Sequence, residues 1–241
     1  MKIETLTTAD AVAARAAEVI ATDAWSAITS RGKFILAVSG GHTPWVMLRA
    51  LAAQEVAWDG VHIFQVDERI APSGNLDRNL THLRESLLEH APLRPKNLHA
   101  MPVESVDLEA AARQYADILA EFAGEPPVLD LVHLGIGADG HTASLVPGDP
   151  VLEVNNADVG LTGIYMGRRR MTLTYPLINR ARRVLWLVTG SEKVSMFSRL
   201  RDGDLTIPAG RVQRDHALVL ADLAAAGPDE RGEVAGSTGG M

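Results

Sequence analysis

The chain has 241 residues, no cysteine and a formal net charge of −7 at pH 7. This length is enough for one large domain or two small ones with a full hydrophobic core. The acidic balance argues against nucleic acid as a general partner, and the lack of cysteine excludes disulfides and thiolate metal sites. No apolar run approaches the ~20 residues of a membrane span, and the first residues lack the apolar core of an export signal. We therefore expect a soluble, cytoplasmic protein.

The first half of the chain predicts alternating helices and strands. Thr7 or Thr8 is a suitable N-cap for an alanine-rich helix, and Asp107 is suitable for a later one. The two apolar runs between them are short and rich in β-branched or aromatic residues, which favours buried strands. In chain order, the predicted elements are a helix to about Ser30, strands at 34–38 and 61–66, a leucine-rich helix after Asn79, a short strand at 97–101 and a helix at 108–122.

The second half continues the alternation. The predicted elements are strands at 131–136, 159–165, 171–174, 184–188 and 216–220, a helix opening at 190–193 and a short helix at 222–226. This order predicts an α/β fold with a mainly parallel sheet flanked by helices. The later short strands are expected to form a small additional α/β subdomain. We expect residues 1–227 to form a single domain, and the glycine-rich residues 228–241 to form a flexible tail.

The loop after the first buried strand is a candidate phosphate site. It reads Ser39-Gly40-Gly41-His42-Thr43-Pro44 and leads into a helix whose first turn accommodates the proline. Free N–H groups, two hydroxyls and the positive end of a helix would converge on an anion there. Because a P-loop lysine is missing, one phosphate on a sugar is favoured over a nucleoside triphosphate. The alternative is an ordinary tight turn with a good N-cap.

The same loop also resembles the nucleophile elbow of serine hydrolases, with Ala37 in place of the first glycine. In that motif a helix follows the serine at once, whereas here a second glycine and Thr43-Pro44 intervene. Only one predicted strand precedes Ser39, too few for the usual α/β-hydrolase order. A serine hydrolase is therefore the weaker interpretation.

The loop after the strand at 131–136 carries the main candidate acid–base pair. Asp139 and His141 are separated by one glycine and follow the carboxyl end of a strand, where α/β sheets bind ligands. Residues 135–140 also fit G-x-G-x-x-G, but that motif needs a long helix directly afterwards. Pro147 and Pro150 leave room for barely two turns, so a dinucleotide site is disfavoured. A purely structural glycine-rich connector remains the alternative.

Charged residues at other strand ends extend the candidate site. Asp67, Glu68 and Arg69 directly follow a predicted strand, which indicates either a polar cleft or simple exposure to solvent. Arginines at 168–170 form either a solvated face or a phosphate clamp. Lys193 lies in the first turn of a predicted helix, where the helix dipole favours acids rather than cations. Its position makes more sense if an anion is held there.

Five segments together carry a resemblance to a known family. They read SGGHTP at 39–44, VDER at 66–69, GIGADGHTASLVPG at 135–148, RMTLTYPLINRARRVLWLVTGSEK at 170–193 and IPA at 207–209. In this order they resemble the glucosamine-6-phosphate isomerase/6-phosphogluconolactonase superfamily, and within it the 6-phosphogluconolactonases, over roughly residues 3–226. Three positions depart from the family pattern: His42 stands where Ser is usual, Arg78 replaces a Ser, and Val146 replaces a Phe. The first of these could retune the phosphate loop.

The resemblance implies a deaminase/isomerase-type, Rossmann-like sheet and no metal or organic cofactor. It implies that 6-phospho-D-glucono-1,5-lactone is the substrate, with neither nucleic acid nor membrane as a partner, in a monomer or homodimer. His141 would be the general base, Asp139 would orient it, Arg69 would stabilise the oxyanion, and Asp67 would be a further catalytic carboxylate. The phosphate would be held by Ser39, Gly40, Gly41, His42, Thr43, Arg170 and Lys193.

Two other functions are open within the same superfamily. A deaminase or isomerase is expected to carry another acidic residue after the histidine, typically a Glu within residues 142–147, where this chain has Thr-Ala-Ser-Leu-Val-Pro. A non-catalytic sugar-phosphate sensor would normally bring a DNA-binding segment, and no such segment is recognisable here. Both are therefore weaker hypotheses than the lactonase.

Overall fold

The computed structural model describes residues 1–227, so the predicted tail at 228–241 lies outside the described residues. Within this part, a seven-stranded sheet is accompanied by a three-stranded sheet. The strands are β1 (Lys2–Leu6), β2 (Phe34–Val38), β3 (Val61–Gln65), β4 (Asp67–Arg69), β5 (Leu98–His99), β6 (Leu131–Leu134), β7 (Val159–Leu161), β8 (Arg170–Leu173), β9 (Val184–Val188) and β10 (Ala217–Asp222). The α-helices are α1 (Ala9–Arg31), α2 (His42–Ala52), α3 (Asn79–Leu83), α4 (Leu108–Ala123), α5 (Tyr175–Arg180), α6 (Val194–Asp202) and α7 (Leu223–Ala226).

The large sheet has the strand order β1-β10-β9-β6-β2-β3-β5, and all its neighbouring strands are parallel. The predicted mainly parallel α/β sheet is therefore confirmed. After β2 the chain adds β3 and β5 on one side, and then returns to place β6 on the other side. Ligands of open parallel sheets bind outside the carboxyl ends of the strands at such a reversal. The loops that follow β2 and β6 meet at this point.

Two hydrophobic cores, one on each face, bury the large sheet. Every residue of β2 is buried, and successive side chains alternate between the two cores. Phe34, Leu36 and Val38 pack with residues of α1 and α2, whereas Ile35 and Ala37 pack with residues of α4 and α6. Burial on both faces explains why this strand is a continuous apolar run. The carboxyl end of β2 is therefore held on both sides of the sheet.

The second sheet has the order β4-β8-β7 and is antiparallel. It corrects one interpretation of the sequence, because Asp67-Glu68-Arg69 form a strand of their own rather than a charged terminus of β3. These residues pair with β8, placing Arg69 opposite Arg170 and Asp67 opposite Thr172. Met171 and Leu173 of β8 join the core that contains α4. The predicted small subdomain is thus this antiparallel sheet, which takes one strand from the first half of the chain.

The ends of several elements also differ from the prediction. β1 was not predicted; it is a partly exposed edge strand that pairs only with β10, so its apolar signal is weak. The predicted strand at 159–165 ends at Leu161, because the chain reverses in a tight turn at 165–168. The predicted N-caps of α1 and α4 are confirmed. The Thr8 side chain accepts a hydrogen bond from the N–H of Ala11, and the Asp107 side chain accepts one from the N–H of Ala110. No helix in residues 1–227 combines the length and apolar character needed to cross a membrane.

Candidate active site

A cavity of about 570 Å³ opens where the loops after β2 and β6 face the strands β4 and β8. All the residues that the sequence predicts for the site line this cavity. They are Ser39, Gly40, Gly41, His42, Thr43, Asp67, Arg69, Asp139, His141, Arg170 and Lys193. The fold therefore brings the predicted residues together, while the role of each remains a prediction.

His141 and Asp139 form a hydrogen-bonded pair on one wall. The Nδ1 atom of His141 lies 2.5 Å from Oδ1 of Asp139, and the same oxygen accepts the backbone N–H of His141 at 3.1 Å. An ionised carboxylate can only accept hydrogen bonds, so Nδ1 carries the ring proton. The lone pair on Nε2 is then left available, which is the state that a general base requires.

Gly137 is what lets the imidazole lie against the loop. A Cβ atom at this position would lie 2.0 Å from Nδ1 of His141 and 2.8 Å from Oδ1 of Asp139. No real Cβ tolerates such distances, so a side chain here would displace the pair. The second glycine of the G-x-G pattern thus makes room for a histidine. No helix N-terminus for a dinucleotide follows, because residues 138–148 form turns.

Tyr165 completes the environment of the pair, and sequence reasoning missed it. Its hydroxyl donates to Oδ2 of Asp139 at 2.9 Å and lies 3.3 Å from Nδ1 of His141. Burial alone would raise the pKa of Asp139, but the hydrogen bonds from His141 and Tyr165 outweigh it and leave this pKa lowered. Tyr165 is 26 residues away from Asp139 in the chain, so no local pattern could have pointed to it.

The N-terminus of α2 lines the cavity and is a candidate anion-binding site. Its N-cap, Gly41, has φ +125° and supplies no side-chain cap, so the first N–H groups of the helix are not satisfied by a cap. The Thr43 hydroxyl lies 2.7 Å from that of Thr189, which also lines the cavity. A helix start in this condition is suited to bind phosphate oxygens.

Ser39 does not have the geometry of a hydrolase nucleophile. Its Oγ donates to the backbone carbonyl of His133 at 2.9 Å, and its N–H donates to Nδ1 of that histidine at 3.3 Å. The His133 ring is thus an acceptor for the loop backbone, and burial lowers its pKa to about 3. Ser39 also lacks the positive φ expected at a nucleophile elbow. Among the described non-glycine residues, only Ala143 and Met166 have a positive φ.

Two arginines face the cavity from directly opposite positions on β4 and β8. Arg69 and Arg170 are paired in register, and neither forms an ion pair with any residue in 1–227. The Nε atoms of both side chains are buried and have no hydrogen-bond partner. Burial, and then the charge of Arg69, lowers the pKa of Arg170. Like charges directly opposite each other destabilise a sheet, so an anion between them would relieve the repulsion.

Lys193 also lines the cavity and comes from the start of α6. A 3₁₀ turn at Ser191–Lys193 connects β9 to this helix, so Lys193 is the N-cap residue of α6 and not, as the sequence predicted, part of its first turn. The structure records no ion pair for its ammonium group among the described residues. The neighbouring Glu192 also lines the cavity. The site therefore contains a third cation that a ligand could neutralise.

Asp67 and Glu68 differ although they are adjacent. Asp67 lines the cavity, and its carboxylate accepts from the Ser144 hydroxyl at 2.6 Å. Glu68 is fully buried on the other face, where it is ion-paired with Arg78 at 3.1 Å. Asn79 connects the two, since its N–H donates to Glu68 and its side chain contacts both Asp67 and Arg69. These contacts of Asn79 and Ser144 were not predicted, because each joins residues that are distant in the chain.

No group of three or more His, Asp or Glu side chains within residues 1–227 is arranged to hold a metal ion.

Comparison with known proteins places this chain among characterised families. Residues 7–220 match the family described as glucosamine-6-phosphate isomerases/6-phosphogluconolactonase. A 6-phosphogluconolactonase of Synechocystis sp. is 40% identical over 183 residues, covering 74% of this chain and 76% of that protein. A 6-phosphogluconolactonase of Nostoc sp. is 35% identical over 235 residues, covering 94% of this chain and 97% of that protein.

The fold is similar to that of a solved relative. The crystal structure of a 6-phosphogluconolactonase from Thermotoga maritima superimposes with a TM-score of 0.80, at 27% identity, and the match covers 92% of this chain and 98% of that one. The matched family region contains all the residues that line the cavity. The resemblance predicted from five short segments is confirmed: the chain belongs to the glucosamine-6-phosphate isomerase/6-phosphogluconolactonase family.

Proposed function

We propose that this chain hydrolyses 6-phospho-D-glucono-1,5-lactone to 6-phospho-D-gluconate, in the oxidative pentose phosphate pathway. The observation that carries the proposal is the division of one cavity into two chemically different walls. One wall holds a histidine whose Nε2 is left free by the Asp139 contact. The other holds two arginines that have no carboxylate partner. A sugar lactone with a phosphate at its far end needs a base near the lactone carbonyl and positive charge near its anionic groups.

The phosphate is bound by the positive end of α2 and by cations. The loop at 39–43 supplies the N–H groups that follow Ser39 and the Thr43 hydroxyl, and Arg170 and Lys193 supply charge. A hydrogen bond to a charged group contributes about 1.5–3 kcal/mol, compared with about 0.3–1 kcal/mol for a helix end. The two cationic side chains therefore dominate phosphate affinity. His42, at the position usually occupied by Ser in this family, adds an imidazole to this loop.

His141 activates the nucleophile. Its Nε2 accepts a proton from a water molecule while the water oxygen bonds to C1 of the lactone. The carbonyl π electrons move onto the carbonyl oxygen, and Arg69 stabilises this oxyanion. When the tetrahedral intermediate collapses, the bond between C1 and the ring oxygen breaks, and His141 returns the proton to that oxygen. Since a lactone is already an activated ester, no covalent enzyme intermediate is needed.

Asp139 and Asp67 support this chemistry in different ways. Asp139 keeps the ring proton on Nδ1 and balances the imidazolium that forms during the reaction. Asp67 lies across from Thr172 on the same face as the two arginines and is fixed by Ser144. Its negative charge keeps that wall from becoming purely cationic. Glu68 has no access to the substrate, because it is fully buried behind β4.

A deaminase is not favoured at this site. In the segment after His141, Ala143 is the residue that lines the cavity, and Ser144 is buried against Asp67. The segment where a deaminase is expected to carry an extra acidic residue therefore presents no carboxylate to the cavity.

Location and assembly belong to the same proposal. We infer a cytoplasmic protein whose residues 1–227 act as a single domain, as a monomer or a homodimer. The single-domain inference is supported by the second sheet, which packs into one of the two cores of the large sheet.

The test is hydrolysis of freshly generated 6-phosphogluconolactone by the purified chain, followed as proton release and corrected for the spontaneous reaction. We expect rapid hydrolysis, and we expect fluorophosphonates and metal chelators to leave it intact. Glucosamine 6-phosphate serves as the parallel substrate, with ammonia release as the readout. Ammonia release without lactone hydrolysis would establish the deaminase instead. Loss of lactonase activity with labelling at Ser39 would establish a serine hydrolase.

A further inference from the structure

Tyr165 joins the two walls of the cavity. It lies at the start of the turn between β7 and β8, where its backbone pairs with Arg168 at 2.9 and 3.3 Å. From there its hydroxyl donates to Asp139 on the loop after β6, at 2.9 Å. Its ring lies against the guanidinium of Arg170, with Cζ 4.9 Å from the ring centroid. One side chain therefore contacts both the acid–base pair and the wall of cations.

The turn that carries Tyr165 is held in place on its other side. Arg168 forms an ion pair with Asp77, with Nη2 at 2.6 Å and Nε at 2.7 Å from the same oxygen. The carbonyl of Asp77 in turn accepts from Arg69 at 2.9 Å. Between these anchors, Met166 and Gly167 both have positive φ, +50° and +80°. A type I′ turn of this kind fixes the direction of its flanking residues.

The Tyr165 hydroxyl acts on His141 through the carboxylate. It occupies Oδ2 of Asp139, so that only Oδ1 is left to the imidazole. A carboxylate held at both oxygens cannot rotate, and part of its negative charge is shared with the phenol rather than given to the ring. Partners of this kind fix the tautomer and orientation of a functional histidine.

We propose that Tyr165 is a positioning residue for the reaction, which holds Asp139 so that His141 keeps Nδ1 protonated and Nε2 free for the attacking water. This inference rests on the proposed lactonase function.

Other charged groups face the same cavity and must be separated from this effect. They come from β4, from β8, from the start of α2 and from the segment after β9, and are Asp67, Arg69, Arg170, His42, Glu192 and Lys193. None of them forms a hydrogen bond with the Tyr165 hydroxyl, whose partners are Asp139 and His141. Replacing Tyr165 by Phe therefore leaves these charges in place and removes only the hydroxyl.

The first measurement is the pH–rate profile of Tyr165→Phe. Without the hydroxyl, the full charge of Asp139 acts on the imidazole and makes it more basic. We expect the acid limb of kcat to move up by about 0.5 pH unit, a fraction of the 1–3 units that a directly opposing charge causes. On the plateau, kcat should fall about 3- to 30-fold, less than the 10²–10⁴ assigned to the base itself. KM should stay within about twofold, because the Phe ring still packs on Arg170.

A second measurement does not depend on activity. The ring of His141, assigned by comparison with His141→Gln, is titrated by NMR in the wild type and in Tyr165→Phe. We expect the midpoint to move upward in parallel with the acid limb. If the wild type does not hydrolyse the lactone, the proposed function fails, and this titration still decides whether Tyr165 acts on the pair.

Tyr175→Phe is the matched control. Tyr175 also donates its hydroxyl, to the Pro208 carbonyl at 2.9 Å, and it also has an arginine 4.9 Å from its ring, but it does not line the cavity. It should leave both the acid limb and the NMR midpoint unchanged. The proposal is overturned if folded Tyr165→Phe keeps the wild-type limb and midpoint. It is likewise overturned if only KM rises, because Tyr165 would then contact the substrate rather than position the base.

Discussion

Consecutive residues of β4 face two differently built environments. On one face of β4, which we call the scaffold face, both oxygens of Glu68 accept hydrogen bonds, and the carboxylate is ion-paired with Arg78. The hydrogen-bond donors are the backbone N–H groups of Arg69, Asn79 and Leu80 and the side-chain amide of Gln65. On the opposite face of β4, which lines the cavity and which we call the pocket face, Arg69 and Arg170 lie opposite each other and neither is ion-paired with a carboxylate, although Asp67 is on the same face. Burial forces the first charge to be fully paired, whereas the second pair stays incomplete in the free protein. We propose that an anionic substrate gains binding energy on this incompletely paired side.

The largest expected effect is on the pocket face. His141→Ala should slow the chemical step by about 10²–10⁴-fold, the range for a positioned acid–base group. The free energy of unfolding should hardly change, because the loop imidazole adds little to either core. Single-turnover lactone hydrolysis and urea unfolding measure the two effects. The matched control is His82→Ala, which removes another histidine paired with an acid, Glu85 at 3.3 Å, outside the cavity. A folded His141→Ala protein with the wild-type rate would end the general-base mechanism.

Substitution of Glu68, on the scaffold face, should lower the stability of the protein rather than the rate of the reaction. Glu68→Gln breaks a buried ion pair and turns an amide N–H₂ group toward other donors, so we expect a loss of about 3–5 kcal/mol in unfolding free energy. Urea unfolding measures it. Glu104→Gln is the control, since Glu104 also approaches Arg78, at 3.8 Å, but is 55% exposed. That change should cost less than about 1 kcal/mol. Equal effects of the two substitutions would show that the buried network is not what stabilises β4.

The position of the acid–base pair can be disturbed without altering any functional side chain. Gly137→Ala places a Cβ atom 2.0 Å from Nδ1 of His141, while the backbone conformation itself permits alanine. A displacement of about 1 Å can cost 10²-fold in rate, so we expect kcat to fall by about that factor. Gly135→Ala is the control two residues earlier, because its nearest neighbour, the Leu187 carbonyl, would be 3.9 Å away. If both variants are as active as the wild type, the placement of the ring is not critical.

Because Arg170 has no ion-pair partner, its removal should weaken substrate binding without lowering the stability of the protein. Arg170→Met should raise KM for the phosphorylated lactone about 10- to 100-fold, through loss of a charge-assisted contact. It should leave the unfolding free energy unchanged or raise it by about 1 kcal/mol, since it removes a buried unpaired charge opposite Arg69. Unphosphorylated gluconolactone should be little affected. Arg169→Met, at the more exposed neighbouring position, should change neither quantity. A marked loss of stability in Arg170→Met would show that the arginine has a structural role.

The smallest expected effect is the contribution of His99 to the pH dependence of the unfolding free energy. Burial, together with the nearby His62, lowers the pKa of His99 to about 4. An unfolded histidine titrates near 6.5, so below that pH the unfolded chain takes up a proton that folded His99 does not. Stability should therefore fall as the pH drops from about 6.5 towards 4, by about 1–2 kcal/mol for this group between pH 7 and 5.

Urea unfolding of His99→Gln between pH 7 and 5 tests this contribution together with that of His62, whose Nδ1 lies 3.0 Å from Nε2 of His99. The variant should show a flatter pH dependence than the wild type, whereas His90→Gln, at an exposed position, should keep the wild-type slope. Identical slopes in all three proteins would assign the acid sensitivity to other groups.

The sequence alone was enough to predict the buried strands, the helix starts and the loops that line the cavity. Buried strands such as β2 were predicted because burial on both faces demands a continuous apolar run, and α1 and α4 because Thr8 and Asp107 are good N-caps. The glycine loops after β2 and β6 and the family resemblance also pointed to the residues that line the cavity. These features are readable because each depends on residues close together in the chain.

Only the tertiary structure decided the features that depend on distant pairing. The register between β4 and β8 places Arg69 opposite Arg170, and no periodicity within either strand specifies that alignment. Period-2 alternation then turns Asp67 to the cavity and Glu68 to the scaffold, but only after β4 is recognised as a strand. Likewise, Ser144 contacts Asp67, which is 77 residues away in the chain, and Tyr165 contacts Asp139 from the turn between β7 and β8. Such contacts arise from how the elements pack, so the sequence could predict residues that line the cavity but not which of them contact each other.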